Sequence, residues 1–167
     1  AYRPSAFEVV DNGHTIQVNL ADAGSLIIEG TPYQLVQFHA HAPSEHTVDE
    51  VQFPLEYHLV HKSATGALAV VGVFVQEGAA HGEWAKVFAQ LPAEGGTAEG
   101  TGLIDPALLL PPDHTMVRYA GSLTTPPCTE SVRWHVLLDP VQLSHEQLAT
   151  FTARYPDSHR PAQPRNV

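Results

Sequence analysis

The sequence predicts a mainly β, α+β fold, with a central, twisted and mostly antiparallel sheet and a few short helices on its surface. Three observations predict it. Fourteen prolines and twelve glycines cut the 167 residues into many short segments, which favours strands and turns over a helical bundle. Several of those segments alternate apolar and polar residues, as half-buried strands do. One run, Ala67-Leu68-Ala69-Val70-Val71-Gly72-Val73-Phe74-Val75, is apolar on both faces and reads as a central strand.

Taken in order, Thr15-Ile16-Gln17-Val18-Asn19-Leu20 alternates cleanly and forms the first expected strand. Residues 25–28, 33–41, 55–61 and 67–76 follow as strands, with Gly or Pro between most of them. Across residues 81–91, Trp84, Val87, Phe88 and Leu91 recur at helical spacing and predict a short amphipathic helix. Residues 95–102 read as loop, and residues 105–110 as one helical turn stopped by Pro111-Pro112. Residues 116–119 and 131–138 are expected strands. Ser144 with Gln147 makes a capping-box pattern that opens a helix running to about residue 154. From Pro156 onward, Pro161 and Pro164 predict an extended, irregular tail. No repeat and no internal boundary divides residues 1–167, so they are read as one domain.

A chain of this length buries about 70% of its unfolded surface, enough for a true core. Eighteen acidic against eight basic residues give a formal net charge of −10. That balance argues against nucleic acid and anionic membranes as partners, because both call for basic patches. No apolar run approaches bilayer-spanning length, and residues 1–10 lack the basic start and apolar centre of a signal peptide. The one cysteine, Cys128, can make neither an internal disulfide nor a thiolate metal site.

Gln37-Phe38-His39-Ala40-His41 and Glu56-Tyr57-His58 carry the chemistry. Side chains on a strand alternate between faces, so His39 and His41 point the same way. If the two strands lie side by side, His58 joins them. Three neutral imidazoles and an open position suit a catalytic zinc. Gln37 and Glu56 each stand two residues before a ligand, on its face, where they can take the second ring N–H and fix the tautomer. The other histidines carry no such pattern. His81, His145 and His159 lie in polar surroundings and are expected to be solvated. His46 and His61 are expected on the face opposite their ligand-like neighbours, as satisfied internal histidines. His114 and His135 carry no distinguishing signal. A second stretch, Gly121-Ser122-Leu123-Thr124-Thr125-Pro126-Pro127-Cys128, uses a double proline to stiffen a loop that can present a hydroxyl and an apolar wall to a site.

Together these pieces resemble the α-class carbonic anhydrases of bacterial type. The resemblance rests on Asn12-Gly13-His14, the two histidine stretches extended to His61, Ser44-Glu45-His46-Thr47-Val48-Asp49, Ser122 to Pro127, Trp134 and Arg160-Pro161-Ala162-Gln163-Pro164, in the family's order across nearly the whole chain. It implies an α-carbonic-anhydrase-like sheet and Zn2+ held by His39, His41 and His58, with Gln37 and Glu56 as their partners. It implies that Thr124 accepts the proton of a zinc-bound hydroxide and passes a hydrogen bond to Glu45, which must be ionised to accept it. Thr125 matches a residue of the bicarbonate site, and Tyr119 a residue supporting the loop that holds Thr124. Val60, Val70, Leu123, Val132 and Trp134 match an apolar wall for carbon dioxide. His14 matches a proton shuttle, a role suited to a group titrating near neutrality, with Asn12 and Gln17 ordering the connecting waters.

The implied reaction is reversible hydration of carbon dioxide to bicarbonate and a proton, inhibited by sulfonamides or small anions. The resemblance further implies a chain shortened at both ends, lacking the family's N-terminal segment and its last strand, and with it the cysteine that pairs with Cys128 in many bacterial members. Such a shortened sheet would expose edges and favour a homodimer, and family analogy implies a periplasmic or secreted setting. Two other readings stand beside this one. The chain could be a carbonic-anhydrase-like binding domain that no longer catalyses, although it keeps all three histidines. It could also be a cupin-type metal oxygenase, since His39, His41 and Glu45 fit a first cupin block, but the flanking glycines and second block are absent.

Overall fold

The computed structural model describes residues 1–164. In chain order its strands are β1 (Phe7–Asp11), β2 (Ile16–Leu20), β3 (Ser25–Ile28), β4 (Thr31–His41), β5 (Thr47–Val48), β6 (Val51–Gln52), β7 (Leu55–Ser63), β8 (Leu68–Glu77), β9 (Thr97–Glu99), β10 (Met116–Ser122) and β11 (Glu130–Leu143). Helix α1 (Gly82–Phe88) follows β8, a 3-10 turn (Pro106–Leu109) follows β9, and α2 (His145–Thr152) follows β11. No described helix is long and apolar enough to cross a membrane.

Nine of the described strands form one sheet in the order β10-β11-β8-β7-β4-β2-β1-β9, with β3 added to the far end of β4. Strands β5 and β6 form a separate hairpin. Among the described residues only β8 and β11 pair in parallel, so the sheet is mostly antiparallel, as expected. The apolar run of residues 67–75 becomes β8, in the middle of the sheet and buried along most of its length.

Alternation along the strands sends side chains to two different places. One face carries Val9, Val18, Phe38, Leu59, Val73 and Leu137 into the main core, which α1 and α2 close with Trp84, Val87, Leu148 and Phe151. The ring of Trp84 meets Phe38 edge-on at 5.4 Å, a favoured aromatic geometry. The other face carries His39, His41 and His58 beside a smaller apolar cluster of Val70, Phe74, Val132, Trp134 and Val136. The capping box at Ser144 forms as its sequence predicts, with the Ser144 hydroxyl accepting from Gln147 N–H and the Gln147 side chain reaching back to Ser144.

Two strands of the main sheet are absent from the sequence reading, as is the β5–β6 hairpin. In β1 the buried positions are Phe7, Val9 and Asp11; a carboxylate at one of them breaks the apolar alternation. In β9, three residues inside the expected loop of residues 95–102 pair with β1, although Thr97-Ala98-Glu99 has no apolar pattern of its own. His81 is also corrected. It is half-buried rather than solvated, its backbone N–H and C=O both bonded to the Gln147 side chain at 2.9 Å, and burial lowers its pKa.

His61, by contrast, is the satisfied internal histidine expected. It is fully buried on the core face of β7, its Nδ1 bonded to the Ala69 carbonyl at 3.2 Å and its Nε2 to the Tyr2 hydroxyl at 2.7 Å. Burial pushes its pKa down to about 4. The unfolded chain protonates this group near pH 6.5, so the native state loses stability as pH falls from about 6.5 to about 4. Above that window the group has no such effect, and below it the loss levels off near about 3 kcal/mol. Replacing His61 by glutamine should flatten the fall in unfolding temperature across that window. A slope equal to wild type would show that other groups set it.

Candidate metal centre

The site forms where β4 and β7 run antiparallel. His39 stands directly opposite His58, and His41 opposite Glu56. One ring nitrogen from each of His39, His41 and His58 lies within 4.8 Å of the other two. On the far side of β7, Gly72 of β8 stands opposite His58. A Cβ at Gly72 would come within 3.0 Å of the Glu56 carboxylate and 3.8 Å of the His58 ring. The absent side chain there makes room for the group behind the histidines.

Hydrogen bonds set the tautomer of every ring. His39 Nδ1–H donates to Gln37 Oε1 at 2.8 Å, as the sequence predicts. His58 Nε2–H donates to Glu56 Oε1 at 2.9 Å, also as predicted. His41 Nδ1–H donates to the backbone carbonyl of Ser158 at 2.8 Å. A neutral imidazole keeps one lone pair once the other nitrogen donates, which leaves Nε2 of His39, Nε2 of His41 and Nδ1 of His58 as acceptors. His41 Nε2 is buried with no hydrogen-bond partner, an expensive state unless something binds it. Burial, and then the neighbouring imidazoles, lower the pKa of His39 and His41. Both shifts favour the neutral form of those two rings, the form that can ligate a metal.

A second trio, His46, Glu56 and His58, also brings its polar atoms together. Those atoms are already hydrogen-bonded to each other: His46 Nδ1 lies 2.6 Å and His58 Nε2 2.9 Å from Glu56 Oε1. That trio lies behind the three histidines. Glu56 is fully buried and accepts two further bonds on Oε2, from Glu45 N–H at 2.9 Å and His46 N–H at 2.8 Å. Burial alone would raise its pKa, but His58 and His46, lying against it and hydrogen-bonded to it, hold it far below the carboxylate range.

His46 is the residue the sequence reading misplaced. It lies in a bend before β5 rather than on a strand, and it faces the site. Its Nε2 meets the Tyr119 hydroxyl at 2.5 Å, while burial works against its charge and Glu56 outweighs it, raising its pKa. Tyr119 thus reaches Glu56 through His46, and its ring stacks on Trp134 at 6.1 Å. The loop carrying Thr124 is held instead by Trp134 Nε1–H donating to Ser122 O at 3.0 Å and by Leu123 N–H to Thr129 O at 2.8 Å.

The expected hydrogen bond from Thr124 to Glu45 is not made among the described residues. Glu45 Oε1 accepts from Arg160 N–H at 2.8 Å, and Glu45 Oε2 is buried without a partner, 3.9 Å from His58 Nδ1. The backbone of the C-terminal tail therefore holds one oxygen of Glu45 and leaves the other free for a donor. Ser158 holds His41 and Arg160 holds Glu45 through backbone atoms, which no side-chain pattern in the sequence could have revealed.

The histidines open into a cavity of ≈ 640 Å³. Its lining includes Asn12, His14 and Gln17 as polar groups, and Val60, Val70, Leu123 and Trp134 as apolar ones. Thr124 and Thr125 line it as well, and Leu68 joins the apolar side unforeseen. Val132 does not line the cavity; fully buried, it packs behind the wall in the cluster with Val70 and Trp134. The thiol of Cys128 is free and half-buried.

A family model described as eukaryotic-type carbonic anhydrase matches residues 1–166. The chain belongs to the carbonic anhydrase family. A carbonic anhydrase from Klebsiella pneumoniae is 46% identical over 99% of this chain and 69% of its own length. One from Pectobacterium carotovorum is 43% identical with the same coverage. Among solved structures, the α-carbonic anhydrase from Thermovibrio ammonificans bound to sulfanilamide superposes with a TM-score of 0.96 at 45% identity, covering 99% of this chain and 74% of that one. The α-class fold expected from the sequence is the fold observed. The chain is a carbonate dehydratase of this family, and its substrates are carbon dioxide and bicarbonate.

Proposed function

We propose that this carbonic anhydrase domain works through a zinc ion held by His39 Nε2, His41 Nε2 and His58 Nδ1. The observation that carries this is the tautomer lock. Gln37, the Ser158 carbonyl and Glu56 each occupy the other nitrogen of one ring, so the three free lone pairs are those of one neutral tridentate site. Three imidazoles with an open fourth position are the donor set of a catalytic zinc. In carbonic anhydrases generally, bound zinc supplies a nucleophilic water whose pKa it lowers to about 7.

The remaining steps belong to the chain's own residues. Val60, Val70, Leu123 and Trp134 offer an apolar surface to carbon dioxide, with Val132 filling the space behind them. The Thr124 hydroxyl orients the nucleophile by accepting its hydrogen bond and donating its own to the vacant Oε2 of Glu45, whose Oε1 Arg160 N–H holds in place. Thr125 contacts the bicarbonate product. His14, exposed beside Asn12 and Gln17, takes the proton outward. An exported setting follows the family resemblance. The exposed run Met116 to Ala120 along edge strand β10 supports pairing into a homodimer.

Metal removal tests the reading. Dialysis against a strong chelator should abolish hydratase activity, and one equivalent of Zn2+ should restore it, with sulfanilamide blocking the restored activity. A chain that binds one zinc per molecule yet hydrates no carbon dioxide would instead be a binding domain on the same fold.

A further inference from the structure

We propose that Asp11 is a positioning residue for proton export, fixing the loop that carries His14 to the C-terminal segment that holds His41. The inference rests on the reading of His14 as the shuttle. Asp11 ends β1 almost fully buried. Its Oδ1 accepts from Gly13 N–H at 3.2 Å and from the Tyr155 hydroxyl, and its Oδ2 accepts from Arg154 Nη1 at 3.0 Å. Burial works to raise its pKa, but the bonds from Tyr155, Gly13 and Arg154 outweigh it and lower it, which favours the carboxylate.

These bonds form part of a closed circuit. Gly13, at φ +82, makes the left-handed turn that a side chain would disfavour. Asn12 Oδ1 then accepts from His14 N–H at 2.9 Å and Thr15 N–H at 3.0 Å. The Thr15 hydroxyl donates to the carbonyl of Ala40 at 2.5 Å, and Ala40 stands between His39 and His41. On the other side, Arg154 and Tyr155 lead directly to Ser158. Ser158 accepts from His41 Nδ1–H, donates its N–H to Ala42 O at 2.7 Å, and accepts from Ala42 N–H at 3.1 Å through its hydroxyl. The turn bearing His14 is thus tied to the ligand strand at Thr15 and to the ligand-holding tail at Asp11. His14 itself is exposed, so its place at the cavity mouth is set by this backbone frame.

Proton export follows the chemical step, so a loosened shuttle lowers kcat and spares kcat/KM. A small buffer base can also stand in for it. In dilute buffer, Asp11→Asn should lower kcat on the order of tenfold with kcat/KM close to wild type, and concentrated imidazole should restore kcat. His14→Ala, measured beside it, should show the same pattern. If both kcat and kcat/KM of Asp11→Asn fall together and imidazole does not help, its role is structural and the inference is overturned. Wild-type kcat in Asp11→Asn, with the shuttle defect present in His14→Ala, overturns the inference alone; wild-type kcat in His14→Ala overturns the shuttle reading itself. Should Asp11→Asn fail to fold, Tyr155→Phe removes one donor and keeps the ring. It should lower kcat roughly two- to threefold with the same imidazole rescue, and an unchanged kcat overturns the inference.

Discussion

Replacing His58 by alanine is expected to strip the chain of its zinc and to lower hydratase activity about a thousandfold or more. His58 is almost fully buried and faces His39 across the β4–β7 pair, so no other side chain can swing into its place. Two imidazoles remain, and His46 is not free to become a third, since both its nitrogens are bound, to Glu56 and Tyr119. The change also takes a donor from Glu56, leaving that carboxylate with fewer partners. Metal content after dialysis should fall from one zinc per chain to almost none. Full activity in His58→Ala would dismiss the ligand assignment.

The second large effect is expected from Glu56→Gln, which keeps the size of the side chain and changes only its donors and acceptors. Glu56 Oε2 accepts from two backbone N–H groups, and Oε1 lies against His46 Nδ1 and His58 Nε2. An amide can place its carbonyl on one side only. With NH2 toward Glu45 and His46 N–H, two buried backbone donors lose their acceptor. With NH2 toward the imidazoles, His58 is driven to carry its proton on Nδ1, the nitrogen the metal needs. Either arrangement should cost about 2–4 kcal/mol of stability and weaken zinc binding about 10- to 100-fold. Competition against a chelator and a thermal melt measure the two effects separately. Zinc affinity equal to wild type would show that Glu56 does not set the tautomer of His58.

The ligand set and two of its three supports were legible because strand alternation is a local property. Once residues 33–41 and 55–61 are strands, His39 and His41 share a face with Gln37, and His58 with Glu56, whatever the rest of the fold does. Only the side-by-side placement of β4 and β7 had to be assumed. His46 was misread for the converse reason: it sits in a bend, where strand parity says nothing. Strand β9 was missed because its partner β1, rather than its own composition, makes it a strand. Val132 was placed on the wall by resemblance, whereas packing put it one layer behind.

The fold class, the three imidazoles, the capped helix α2 and the stiff loop around Thr124 can be read from the amino-acid order, since each depends on residues close together in the chain. Folding alone brings the Ser158 carbonyl to His41, sets Arg160 against Glu45 so that one carboxylate oxygen stays vacant, and joins Asp11 to Arg154. Those contacts link positions more than a hundred residues apart, and two of the three involve backbone groups. Every residue but proline carries the same backbone donor and acceptor, so nothing in the amino-acid order distinguishes the ones that fold into the site.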